Sequence, residues 1–153
     1  MIRLSSQDDR YRESMDDDIP PAGTGQEGEP AEPHVFTLDE ARALMPEVHE
    51  HVDEFVRLRA DLAELAADLR VAGRSPLGGM PELKAMEARF SELHGWFPDH
   101  GIEVKNLAPV LIDFPALLDG AAVRLCWLEG EPELAWYHRS ELGFIGRRRL
   151  PPS

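Results

Sequence analysis

A chain of 153 residues is of single-domain length. Its formal net charge of −13, from 29 acidic against 16 basic residues, opposes tracking along a phosphate backbone or docking on an anionic bilayer, so neither nucleic acid nor membrane is an expected partner. The single cysteine, Cys126, excludes an internal disulfide framework. With no signal-like apolar start and no window apolar enough to span a bilayer, the expected location is the cytoplasm.

Residues 1–33 carry nine acids and three arginines, and Pro20, Pro21, Gly23, Gly25, Gly28, Pro30 and Pro33 punctuate their second half. Few apolar side chains offset the entropy of ordering such a segment, so it reads as a disordered acidic leader to a single domain over 34–153.

Thr37-Leu38-Asp39-Glu40 is a capping box: the Thr37 hydroxyl can accept from the Glu40 amide, and Glu40 can reach back to the Thr37 amide. Ala41, Met45, Val48, Val52, Phe55, Leu58, Leu62, Leu65 and Leu69 follow at steps of three and four, one apolar stripe on a helix over about 38–72. Pro46 lacks an amide proton and disfavours helical geometry at Met45, which predicts a kink or break there. The loop Gly73–Gly79 precedes a second helix over about 81–96, started by Pro81 and ended by Gly95 and Pro98. So short a loop makes the two helices an antiparallel hairpin. His49 and His51 point about 200° apart on a helix and lack the His-x-x-x-His spacing of a shared metal site.

The sheet is expected over about 102–139. Gly101–Leu107 alternates as an edge strand, and Asp119-Gly120 marks a type I′ hairpin, because both central positions need positive φ. Closing that turn between Leu118 and Ala121 sets Phe114 opposite Leu125 and Asp113 opposite Cys126. A second turn at Glu129–Pro132, with Leu128 facing Glu133, sets Cys126 opposite Ala135 and Leu125 opposite Trp136. Strand alternation then puts Ile112, Phe114, Val123, Leu125, Trp127, Leu134, Trp136 and His138 beneath the helices. Asp113, Arg124, Cys126, Tyr137 and Arg139, with Glu103 and Lys105, fall on the other face. The expected architecture is α+β: a helical hairpin on one face of a three- to four-stranded antiparallel sheet, followed by a basic tail over 143–153.

Phe36-Thr37-Leu38-Asp39-Glu40-Ala41 with Leu44-Met45-Pro46, then Gly101–Lys105, Ile112–Pro115, Gly120, Leu125-Cys126-Trp127, Gly130–Glu133, Trp136-Tyr137-His138 and Gly143–Arg147 together resemble the uncharacterised bacterial family known as domain of unknown function 2203. The resemblance spans Phe36 to about Leu150 and implies a soluble bacterial protein, without an activity. Ala108-Pro109-Val110 departs from the pattern, where a glycine-containing turn is expected.

Two functional readings follow. The first is a non-enzymatic protein that self-associates, or binds a protein partner, through the helical hairpin or the sheet edge; its basis is an apolar stripe longer than three short strands can cover. The second is a small-molecule or divalent-metal site, of a binding protein or of an enzyme, built from Asp113, Cys126, Glu133, His138 and Arg147, which requires these groups to converge within about 6–8 Å. Asp113, Cys126 and His138 are the catalytic candidates, Glu133 and His138 the metal-ligand candidates, and Arg124 and Arg147 the candidate anion binders. Each has a plainer account. Cys126 is a small core hydrophobe, Asp113 a cross-strand ion-pair partner of Arg124, and the Arg147–Arg149 run a solvated terminus or one attracted to the protein's own acidic surface. The register above also sets His138 and Cys126 on opposite faces, against a thiol–imidazole pair.

Overall fold

The computed structural model describes residues 34–152, so the acidic leader expected over 1–33 lies outside the described residues. Two helices, α1 (Leu38–Ala72) and α2 (Met80–Asp99), precede the strands β1 (Glu103–Leu107), β2 (Val110–Leu118), β3 (Ala121–Leu128), β4 (Trp136–Arg139) and β5 (Arg148–Arg149). The strands form one antiparallel sheet in the order of the chain. It has five strands rather than three to four, because Arg148 and Arg149 pair with Tyr137 and Trp136.

Thr37 caps α1 by accepting from the Glu40 amide at 3.1 Å. Its hydroxyl also donates to Glu40 Oε1 at 3.2 Å, so Glu40 returns to the hydroxyl and not to the Thr37 amide. Helix α1 is continuous through Pro46, and no break separates a short helix from a long one. The proline deletes one amide donor, a local loss. Ala41, Met45, Val48, Val52 and Phe55 are all buried on one stripe, and a break at Met45 would lift half of that stripe off the sheet. Helix α2 similarly passes Gly95 and Pro98 to reach Asp99, because Leu93 and Phe97 continue its buried stripe.

The helices cover one face of the sheet through Ile112, Phe114, Val123, Leu125 and Trp127, each of them buried. The β2–β3 hairpin has the expected register, Asp113 opposite Cys126 and Phe114 opposite Leu125. Its turn has positive φ at Asp119 (49°) and Gly120 (81°). Strand β1 pairs with the first half of β2 through a turn at Ala108-Pro109 whose peptide bond is cis. Beyond the end of β1, Phe36 bridges to Ala116, its amide donating to the Pro115 carbonyl at 2.7 Å.

The β3–β4 register differs by one residue from the expected one. Cys126 lies opposite Trp136, Leu125 opposite Tyr137 and Arg124 opposite His138. The cause is Glu131. Its carboxylate accepts from the Leu128 amide at 2.7 Å, and its carbonyl from the Trp127 indole at 2.9 Å. The side chain thus supplies the acceptor that a pairing strand would have offered, and β4 joins the ladder only at Trp136. Tyr137 consequently packs against the core, while Trp136 and His138 move to the face away from the helices.

Arg59 ties the far ends of these elements together. Its guanidinium donates to both Glu129 carboxylate oxygens, at 2.8 and 3.0 Å, and to the Leu107 carbonyl at 2.6 Å. Glu129 also accepts from the Val110 amide at 2.9 Å. Among the described residues no helix is long and apolar enough to cross a membrane. Arg59→Gln removes the two-pronged pair and is expected to lower stability by about 1–3 kcal/mol, read as an earlier denaturant midpoint at unchanged slope.

Candidate metal centre

The one-residue shift decides the chemistry. With His138 on the same face as Cys126 and Asp113, three potential ligand atoms lie within 4.8 Å of one another, and all three residues are buried. Asp113 comes from the middle of β2, Cys126 from its cross-strand partner position on β3, and His138 from β4, one strand further. Rigid pairing on both sides of β3 therefore fixes the trio.

The hydrogen bonds around His138 set its proton. Nδ1 lies 2.8 Å from the Arg139 carbonyl oxygen, which can only accept, so Nδ1 carries a proton and donates. Nε2 lies 3.1 Å from Asp113 Oδ2, also an acceptor unless protonated. Two lone pairs cannot face each other there, so the gap requires a proton or a cation. The Asp113 Oδ1 atom is buried and, among the described residues, has no hydrogen-bond partner. A buried carboxylate oxygen left so is costly.

Cys126 is a free, buried thiol. Burial, and then the negative charge of Asp113, push its pKa from 9.0 up to about 12, against a smaller opposing pull from Arg147. A thiol held neutral in this way is a weak nucleophile.

The C-terminal segment closes over this face. A 3₁₀ turn (Phe144–Gly146) leads into β5, and Gly146 lies so close to Leu142 that an added Cβ would sit 2.7 Å from its Cβ. Arg147 donates to Glu131 Oε1 at 2.5 Å and to the Cys126 carbonyl at 3.3 Å. Its guanidinium lies 4.9 Å from the ring centres of both Trp136 and Phe144. Arg147 of this C-terminal strap is thus held by the protein's own acidic surface, while Arg148 and Arg149 pair in β5 with exposed side chains. Arg147 already has its carboxylate, that of Glu131.

The remaining candidates separate. Glu133 is exposed and lines a groove beside α1 with Arg42, Met45, Pro46 and His49, away from the trio. Arg124 does not pair with Asp113; its Nε meets Glu103 Oε1 at 3.1 Å. His49 packs edge-on to Trp127, and His51 stacks on Trp96. A cleft of about 290 Å3 opens beside Asp113 and His138, rimmed by Lys105, Arg124, Ser140 and Phe144. Ser140, Phe144 and the anchoring role of Glu131 escaped the sequence reading, because each depends on the strap or the shifted register; strand alternation puts Lys105 on this face but not at a site.

In chelator-treated protein the raised thiol pKa has a definite sign. The folded state holds the Cys126 proton more tightly than the unfolded chain, so its contribution is complete below about pH 9 and is lost as pH rises toward about 12. Stability measured against pH should fall across that window in the native chain, and the fall should be shallower in Cys126→Ala.

A family model described as an uncharacterized conserved protein, DUF2203, matches residues 34–150. No curated protein and no solved structure matches the chain.

Proposed function

The chain belongs to the DUF2203 family, and for this member we propose a divalent-metal-binding function centred on Asp113, Cys126 and His138. The observation that carries this reading is the gap between His138 Nε2 and Asp113 Oδ2, beside an Oδ1 with no partner among the described residues and a buried thiol. One nitrogen, one sulfur and one oxygen donor suit a borderline ion such as zinc; magnesium and calcium prefer oxygen alone. The Nδ1–H bond to the Arg139 carbonyl is the outer contact that typically orients a ligating imidazole and leaves Nε2 for the metal. Binding must displace the thiol proton, so affinity rises with pH.

Equilibrium dialysis of the full chain with Zn(II) or Co(II) tests this. One ion per chain is expected, with a sulfur-to-cobalt charge-transfer band that Cys126→Ala removes. Asp113→Asn and His138→Gln should each weaken binding by at least about a hundredfold, since even outer contacts to a metal ligand are worth roughly ten- to a hundredfold. Binding that is absent, or indifferent to all three substitutions, overturns the reading.

A second reading, self-association through the hairpin, draws on the half of α1 and α2 remote from the sheet. Leu65 is buried there outside the main core. Leu62, Leu69, Leu83 and Met86 remain half-buried, and Val71 and Met80 are exposed. Solution scattering at tens of micromolar should then report a dimer that Leu62→Glu dissociates; a monomer rejects it.

A further inference from the structure

We infer that the cleft beside the centre binds a small monoanion of the carboxylate class, with a short apolar tail, once the metal ion is in place. The inference rests on the metal reading above and adds a ligand to it. Three protein ligands leave a tetrahedral ion at least one position for another donor. The cleft opens directly onto Asp113 and His138, the side from which such a donor can arrive.

The walls select what arrives. Lys105 and Arg124 stand on the rim and share one counter-charge, Glu103, at 2.6 and 3.1 Å. The rim therefore carries one net positive charge in a chain of net charge −13. Within the centre, a divalent ion is balanced by the Asp113 carboxylate and the Cys126 thiolate. The surplus is a single positive charge, which matches a monoanion better than a phosphate dianion. Arg124 donates through Nη1 to the Ser140 hydroxyl at 3.3 Å, a long contact to a neutral group that a carboxylate would readily replace. Leu111 and Phe144 supply apolar wall, and about 290 Å3 admits only a small molecule.

Metal-free protein lacks the coordinating partner, and its two rim cations are already engaged by Glu103. Anion binding should accordingly depend on the metal. The test titrates butyrate into the Co(II)-loaded full chain and follows the visible cobalt spectrum, with 1-butanol as the neutral comparison. A saturable spectral change with butyrate and none with butanol is expected. Arg124→Gln and, separately, Lys105→Gln should raise the apparent Kd, the former by at least about tenfold, while cobalt affinity stays unchanged. A loaded protein whose spectrum ignores butyrate, or answers butanol equally, overturns the inference and leaves the metal centre standing. Failure of the native chain to take up cobalt overturns both. If Arg124→Gln does not fold, the native titration and Lys105→Gln still decide.

Discussion

Strands β2 and β3 are covered on both faces, and this constraint governs the rest of the molecule. On one side α1 and α2 bury Ile112, Phe114, Leu125 and Trp127; on the other Asp113, Cys126 and His138 are buried as well, with Arg147 of the C-terminal strap reaching the Cys126 carbonyl. Sheets with one wet face can leave polar residues in solvent at no cost. A second cover withdraws that option, so every polar atom beneath the strap needs a partner inside the protein or a bound one.

Counting donors beneath the strap shows where the requirement goes unmet. Glu131 satisfies the Leu128 amide and Arg147, and its carbonyl takes the Trp127 indole. Arg147 in turn satisfies the Cys126 carbonyl. At the periphery only the Arg147 Nε atom, among the described residues, is buried without a partner. At the centre, two acceptors face each other across 3.1 Å unless something positive lies between them, and Asp113 Oδ1 has no partner among the described residues. A hydrophobic trio of similar volume would pack there at lower cost. Retaining a carboxylate, a thiol and an imidazole in one dry space fits a ligand-binding role better than a packing role.

Legibility followed the source of each constraint. The β2–β3 register was readable because Asp119-Gly120 encodes its turn in the backbone conformation of two adjacent residues. Apolar spacing placed both helices, yet it also had to outweigh Pro46 and Gly95, whose breaking tendencies are local while the burial that overrides them is tertiary. The β3–β4 register was not readable. Its slip arises from the Glu131 side chain substituting for a strand acceptor, and no propensity distinguishes that glutamate from Glu129 or Glu133. One residue of error reversed the faces of Trp136, Tyr137 and His138, which hid the convergence of His138 with Cys126 while leaving every β2 and β3 assignment intact. Strand β5 was equally hidden: two arginines carry no alternation, and their pairing depends on Leu150 being buried and donating its amide to the Ala135 carbonyl at 2.8 Å.

The strap also controls access. It is held by Arg147, clamped between the Trp136 and Phe144 rings and anchored to Glu131, and by the ladder from β4 to β5. These contacts cover Cys126 from above, so its thiol does not open onto the cleft; Asp113 and His138 do. Under the metal reading the soft donor is thus shielded from solvent and oxidants, while the two hard-to-borderline donors face the side from which a further ligand enters. The arrangement assigns protection to the strap and selection to the rim, and the single residue by which β4 is displaced along β3 is what brings His138 between them.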